Sequence, residues 1–96
     1  MWKLSAATIS DLEVMAKWGG AAFGLRVAED YQLHVLDLFD DLAAHPEMGV
    51  ERFVAGQMIR LMPCRSHHVI YRIDNGDVII VRVLHHLQSL PDKLLF

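Results

Sequence analysis

The chain has little of what marks a secreted or membrane protein. Its 96 residues include one cysteine, Cys64, so no disulfide bond can form within the chain, and a reducing cytoplasm is the natural compartment for such a protein. No apolar run approaches the roughly 18 residues of a membrane-spanning helix. The opening residues MWKLSAAT lack the apolar stretch of a signal peptide. We therefore expect a cytoplasmic protein with no membrane partner.

Recognisable catalytic and metal-binding motifs are also missing. The sequence has no HExxH motif, no glycine-rich phosphate loop, and no Ser-His-Asp or Cys-His order typical of a nucleophilic enzyme. His67-His68 and His85-His86 fall in predicted strands, where neighbouring side chains point to opposite faces, so neither pair has metal-ligand spacing. We expect no metal and no cofactor, and we interpret Cys64 as a small loop residue. Acid–base chemistry by His67 or His85 stays open.

Acidic residues are scarce in the second half of the chain. Residues 1–51 carry three basic residues against nine acidic ones, a net charge of −6, whereas residues 52–96 carry six against three, a net charge of +3. Either the basic half binds an acidic or polyanionic partner, or the two halves attract each other. The mean hydropathy of +0.25 is high for a small protein. It indicates a very rich core or an apolar surface that a partner covers.

A β-hairpin is the strongest local signal in the sequence. Residues 67–73 and 78–84 are rich in β-branched side chains and flank Asn75-Gly76. This pair is preferred in a two-residue type I′ turn because both positions need positive φ. A further strand is predicted over residues 57–62, ended by Pro63, which has no N–H for a strand ladder. Alternation of side chains predicts a short first strand over residues 2–5.

Two helices are predicted between the first strand and the others. The first begins at Ser5 or Thr8, either of which can cap it, and stops near Gly24. The second spans residues 25–44 and ends before Pro46, because the residue preceding proline disfavours the helical region. A connector over residues 50–56 then leads to the sheet. The faces predicted for burial are Ile9, Leu12, Ala16, Gly19 and Phe23 on the first helix, and Ala28, Tyr31, Val35, Leu38 and Leu42 on the second.

These elements predict a single α+β domain over residues 1–96, in the order strand, helix, helix and three antiparallel strands. The helical hairpin is expected to pack on one face of the sheet, and the other face or its edge to stay open. Alternation places Arg82 on one face of the last strand with Val78, Ile80 and Leu84. An arginine in so apolar a strand needs an anion. Its own chain or a partner could supply that anion.

The order and spacing of several short motifs resemble the ParE branch of the RelE/ParE toxin superfamily. The resemblance covers nearly the whole chain. The motifs are Leu4-Ser5, Asp11-Leu12-Glu13, His45-Pro46-Glu47-Met48-Gly49, Arg60-Leu61-Met62-Pro63, Ser66-His67, Ile70-Tyr71-Arg72, Val81-Arg82-Val83-Leu84-His85 and Leu90-Pro91.

The resemblance implies a bacterial toxin of a type II toxin–antitoxin pair. The ParE branch is associated with poisoning DNA gyrase, which blocks replication, and this action is non-enzymatic. It also implies a ParD-like antitoxin that binds the toxin directly in a hetero-oligomer, a heterotetramer or larger, and that alone contacts operator DNA. We expect the antitoxin- or target-facing surface to be lined by six residues. They are Arg60, Arg65, His67, Tyr71, Arg82 and His85.

The resemblance also leaves two alternatives. A RelE-like, ribosome-dependent mRNA endonuclease would draw positive charge from Arg60, Arg65 and Arg82. His85 would act as its acid or base, since no tyrosine follows Tyr71 in this sequence. The third interpretation is an inactive homologue that keeps only antitoxin binding. Ser89 stands where family members often carry an acidic residue, a departure that affects how the tail is held.

Overall fold

The computed structural model describes residues 1–88 of the protein, so Ser89 and Leu90-Pro91 lie outside the described residues. Within that range the order of elements is β1 (Trp2–Leu4), α1 (Ala6–Phe23), α2 (Leu25–Ala44), a 3₁₀ turn (Pro46–Met48), β2 (Val50–Val54), β3 (Gln57–Cys64), β4 (His67–Asp74) and β5 (Asp77–His85). The five described strands form one sheet in the order β1-β5-β4-β3-β2. Strand β1 runs parallel to β5, and the other pairs are antiparallel. The α+β class is confirmed.

The sheet differs from the prediction around β2 and β3. The segment expected to be a connector forms β2, which pairs with β3 from Val50 opposite Leu61 to Val54 opposite Gln57. Pro63 does not end β3 but lies inside it, opposite His68 of β4. The pairing of β2 with β3 ends at Val50 opposite Leu61, so β3 has no neighbouring strand on that side at Pro63. A proline is tolerated there because no ladder hydrogen bond from its nitrogen is needed.

Two-residue turns connect the antiparallel strands. Asn75 and Gly76 have φ values of 49° and 81°, which confirms the predicted turn between β4 and β5. Ala55 and Arg65 also have positive φ, at 52° and 53°. Side chains other than glycine and asparagine rarely adopt this conformation, and no turn motif in the sequence marked either position.

The helix ends agree with the predictions. Ser5 is the N-cap of α1, and its side chain accepts a hydrogen bond from the N–H of Thr8. Gly24 separates the helices with a φ of 90°. The burial of α2 is largely as predicted, with Val35 and Leu42 fully buried, but Ile9 and Phe23 of α1 are exposed. The apolar face predicted for α1 is therefore only partly covered.

Each face of the sheet carries buried side chains. On the helix-facing side, Val35, Phe39 and Leu42 of α2 pack against a cluster that includes Tyr71 and Val83. A second cluster on the opposite side consists of Ile59, Ile70, Val81 and Leu84, with Val54 and Leu61 packed against it. Of the two expected alternatives, an open face is wrong, since none of the four members is more than 5% exposed, whereas the edge strand β2 does expose Val50 and Phe53.

A β-bulge in β5 decides which side chains face the helices. Ile70 pairs with Arg82 whereas Tyr71 pairs with Ile80, so Val81 is an extra residue in β5. Alternation breaks at this point. Ile80 and Val83 both belong to the helix-side cluster, while Val81 faces the other way. The prediction that Ile80 and Arg82 share a face is therefore wrong.

The first turns of α1 satisfy the backbone of β5 beside this bulge. Strand β1 ends at Leu4, opposite Ile80. From there the hydroxyl of Thr8 donates to the carbonyl oxygen of Ile80 at 2.8 Å, and the hydroxyl of Ser5 donates to that of Val81 at 2.8 Å. Thr8 is fully buried. Since buried carbonyl groups need partners, these hydroxyls fix α1 against the sheet.

Replacing Thr8 by valine should lower the free energy of unfolding by about 1 kcal/mol, because the shape is kept while a buried hydrogen bond is lost. Urea denaturation of the purified chain measures this change. The exposed Ser10 on the same helix provides the control Ser10→Ala, which should stay within about 0.5 kcal/mol of the parent. Equal stabilities of Thr8→Val and Ser10→Ala would contradict this role of Thr8.

Candidate functional site

Arg82 is bound within its own chain. Its Nε and Nη2 atoms each donate to a different carboxylate oxygen of Asp11 on α1, both at 2.8 Å, and the backbone N–H of Val83 donates to the same carboxylate at 3.0 Å. This bidentate contact raises the pKa of Arg82. Of the two anion sources considered for Arg82, its own chain supplies the one observed.

Arg60 is also held by intramolecular contacts. Its Nη1 donates to the carbonyl oxygens of Gly49 at 2.8 Å and Glu47 at 3.1 Å, and its Nη2 donates to the carboxylate of Glu51 at 2.8 Å. The arginine side chain is 17% exposed. Arg60 therefore holds the 3₁₀ turn and the start of β2 against β3, and little of its guanidinium group is accessible.

Tyr71 completes this attachment from the core. Its hydroxyl donates to the carbonyl oxygen of Pro46 at 2.6 Å and accepts the N–H of Gly49 at 2.8 Å. A Cβ atom on Gly49 would lie 2.6 Å from that hydroxyl, so only glycine fits here. Tyr71 is fully buried, and burial raises its pKa. Tyr71 was expected on the partner-binding surface, but its side chain is not accessible to a partner in this structure.

A second group of side chains meets where β4 begins and β5 ends. We call Tyr31, Arg65, His67, His85 and His86 the histidine cluster. The rings of His67 and His85, paired across β4 and β5, have centroids 5.4 Å apart, and those of His85 and His86 are 4.5 Å apart. Tyr31 of α2 lies over His67 at 5.4 Å, and the guanidinium carbon of Arg65 is 5.7 Å from the centre of the Tyr31 ring.

The hydroxyl of Tyr31 connects this cluster to the backbone. It lies 2.7 Å from Nδ1 of His67, accepts the N–H of Ser66 at 3.1 Å and is 3.2 Å from the carbonyl oxygen of Cys64. Burial raises the pKa of Tyr31, so the side chain stays a neutral phenol near pH 7. Cys64 itself is buried at the end of β3, with a pKa also raised by burial. It is a core residue, not the loop residue expected.

Protonation of His67 is disfavoured in the isolated chain. Burial lowers the pKa of His67 below its usual value of 6.5, and the neighbouring charges of His85 and His86 lower it further. Asp11 acts in the opposite direction and is the weakest of these influences. A partly buried imidazole beside two others is thus kept neutral near pH 7.

The turn between the helices carries exposed apolar side chains. We call Trp18, Phe23, Leu25 and Val27 the apolar tip, since each is more than half exposed. The rings of Trp18 and Phe23 touch edge to face, with centroids 6.2 Å apart. Residues 14–28 contain no acidic residue and two basic ones, Lys17 and Arg26, so this tip is also locally cationic.

The structure separates the six predicted residues into two groups. Arg60, Tyr71 and Arg82 hold the fold together, whereas Arg65, His67 and His85 meet in the histidine cluster. Sequence analysis missed Asp11 and Trp18 as candidates. The need of Arg82 for an anion pointed to an acidic residue, and Asp11 belongs to one of the family motifs, but the sequence did not show which acidic residue would reach Arg82.

Comparison with known proteins identifies the family. Residues 2–90 match the family model of the ParE toxin of the type II toxin–antitoxin system parDE. The chain belongs to the ParE toxin family. A solved structure described as the chromosomal ParDE toxin–antitoxin system from P. aeruginosa is similar in fold, with a TM-score of 0.76 and 14% sequence identity over 88% of this chain and 92% of that one. The sequence has no match among curated proteins.

Two other properties of this ParE-family toxin bear on its site. Within residues 1–88 no helix is long and apolar enough to cross a membrane. The same residues contain no group of three or more His, Cys, Asp or Glu side chains arranged to hold a metal ion.

Replacing Asp11 by alanine should lower the free energy of unfolding by about 2 to 3 kcal/mol, because the guanidinium group of Arg82 and the N–H of Val83 lose their acceptor. Urea denaturation measures the loss. The control is Glu13→Ala, which removes an exposed carboxylate two residues along the same helix. A loss no larger than that of Glu13→Ala would show that the contact is not needed for stability.

The free energy of unfolding should also fall as the pH is lowered through 6.5, because the unfolded chain binds a proton on His67 more readily than the folded chain does. Well above pH 6.5 His67 is neutral in both states and contributes no such dependence. Urea midpoints between about pH 7.5 and about pH 5.5 measure the slope. His67→Gln should reduce it and His45→Gln, at the exposed end of α2, should not. An unchanged slope in His67→Gln would refute the assignment.

Proposed function

We propose that this ParE-family toxin acts by binding. A ParD-like antitoxin holds it inactive, and the free toxin inhibits DNA gyrase and so blocks replication. Membership of the parDE toxin family supports both parts, since a toxin of such a system has an antitoxin as its counterpart. In this proposal the complex is a hetero-oligomer in the cytoplasm, and operator DNA is contacted through the antitoxin.

The apolar tip is the observation that carries the antitoxin part of the proposal. Trp18 and Phe23 are 67% and 65% exposed, and Leu25 is 70% exposed. Large apolar side chains grouped on a surface mark sites of protein interaction, and aromatic residues often supply most of the binding energy of an interface. An amphipathic antitoxin helix can cover such a surface with apolar anchors spaced three or four residues apart.

The internal contacts of the arginines favour binding over RNA cleavage. A RelE-like endonuclease would need cationic groups around the scissile phosphate. Of the residues named for that alternative, Arg60 is bound to Glu51 and to two backbone carbonyls, and Arg82 is bound to Asp11. His85 is half-buried, and the exposed cation that shares its cluster is the single guanidinium group of Arg65. A non-enzymatic toxin requires neither arginine to be free.

Replacing Trp18 and Phe23 together by alanine should weaken antitoxin binding at least about tenfold, since each lost aromatic anchor costs roughly 1 kcal/mol or more. Calorimetric titration with the ParD-like protein encoded beside the toxin measures the affinity. The matched control is Phe53→Ala on β2, where the side chain is equally exposed at 68%. If Phe53→Ala weakens binding as much as the double variant, the apolar tip is not the principal antitoxin surface.

The cellular target needs a separate assay. Purified toxin added to gyrase and supercoiled plasmid should cause cleaved gyrase–DNA complex to accumulate, and it should leave mRNA intact in an in vitro translation reaction. Cleavage of mRNA at the ribosomal A site would replace the gyrase proposal with the endonuclease. No effect in either assay, and no growth arrest on expression, would favour an inactive homologue.

A further inference from the structure

Among residues 1–88 the histidine cluster has no unshared anion. The carboxylate in this range that influences the pKa of His67 is Asp11, and Asp11 already accepts three hydrogen bonds from Arg82 and Val83. Its charge is therefore largely balanced. Three imidazoles and the guanidinium group of Arg65 remain together without a negative partner among residues 1–88.

The cluster is open to a ligand. Arg65 and His86 are exposed, and His67 and His85 are half-buried. Across residues 1–88 the hydrogen bonds of the three imidazole rings are made through Nδ1, to Tyr31 by His67, to the N–H of Leu87 by His85 and to the carbonyl oxygen of Ser66 by His86. Nε2 of each ring thus makes no hydrogen bond among residues 1–88, and the three rings lie next to one another.

Tyr31 allows His67 to change its protonation state without losing a hydrogen bond. When His67 is neutral, the hydroxyl of Tyr31 can donate to Nδ1. When His67 is protonated, Nδ1 donates to the hydroxyl oxygen, and the hydroxyl proton turns to the carbonyl oxygen of Cys64, 3.2 Å away. Protonation of His67 is therefore disfavoured by burial and by the like charges of the neighbouring rings, and not by the loss of a hydrogen bond.

We propose that the histidine cluster receives a carboxylate of the antitoxin and takes up a proton as the complex forms. This inference rests on the proposed function, because the ligand is an acidic segment of the ParD-like protein. The carboxylate binds the imidazoles through Nε2, and Arg65 contributes a permanent positive charge at the rim. The ligand supplies the negative charge that the cluster lacks.

The direction of the pH dependence follows from this arrangement. In the free toxin, burial and the neighbouring rings lower the pKa of His67 and favour its neutral form, whereas a bound carboxylate favours its protonated form. The complex thus binds more protons than its separated components do. Affinity should rise as the pH falls from about 8 to about 6, by up to about tenfold per pH unit for each proton taken up. The groups facing the rings are Tyr31 from α2, Cys64 and Arg65 from the β3–β4 connection, and Asp11 from α1.

The test is calorimetric titration of the toxin with its ParD-like antitoxin at about pH 6, 7 and 8, each in two buffers of different ionisation enthalpy. The difference between buffers counts the protons taken up. The wild-type toxin should bind more tightly at lower pH with proton uptake. His85→Gln/His86→Gln should lose most of both effects, and the matched control His45→Gln should keep them.

A second variant tests the carboxylate site independently, in case the double variant His85→Gln/His86→Gln does not fold. Arg65→Asn suits the positive φ of that turn position, and it should weaken binding severalfold at every pH while leaving proton uptake in place. Equal effects of Arg65→Asn and of Arg52→Asn, an exposed change on β2 outside both proposed surfaces, would overturn the placement of the carboxylate.

The remaining outcomes separate this inference from the proposed function. Binding that is equally tight at all three pH values, with no proton uptake, would overturn the carboxylate site and leave the antitoxin proposal standing. Absence of binding at every pH would overturn both. Tighter binding of a duplex oligonucleotide to the free toxin at low pH, lost in His85→Gln/His86→Gln, would assign the cluster to phosphate groups instead of an acidic peptide.

Discussion

The hydrogen bonding beside the bulge of β5 is the constraint on which the rest of the structure depends. Strand β1 is too short to pair with all of β5. The carbonyl oxygen of Ile80 still accepts the N–H of Ser5, but the carbonyl group of Val81 and the N–H of Val83 need side-chain partners, and Ile80 takes a second donor. Ser5, Thr8 and Asp11 provide them from the first two turns of α1. This attachment sets the position of the helical hairpin. The hairpin in turn brings Tyr31 to His67 and leaves the apolar tip exposed to solvent.

Part of the charge asymmetry of the sequence has an internal explanation. Arg82 with Asp11 and Arg60 with Glu51 both join the basic second half of the chain to the acidic first half. These arginines therefore stabilise the fold, and their ion pairs argue against their use as free phosphate ligands. What remains for a partner is different in kind: apolar aromatic side chains at one end of the hairpin, and a group of imidazoles with one exposed guanidinium at the end of the sheet.

Those two surfaces suit a toxin that acts through association. Apolar contact area supplies affinity, whereas groups that titrate near neutral pH make part of that affinity depend on protons. Tyr71 and Gly49 differ from these surface groups, since their close contact at the 3₁₀ turn is buried and only stabilises the fold. Three of the residues singled out by motif position thus serve mainly to hold the toxin together.

The sequence by itself determined the features that depend on neighbouring residues. The caps at Ser5 and Gly24, the limits of α2, the turn at Asn75-Gly76 and the α+β class all follow from local backbone preferences. Tertiary structure alone decided the bulge at Val81, the strand β2, the choice of Asp11 as the partner of Arg82 and the meeting of Tyr31 with three histidines. An extra residue in a strand reverses every later alternation, and its position depends on which hydrogen bonds a distant helix can supply. That information resides in contacts between residues about 70 positions apart and not in any local pattern.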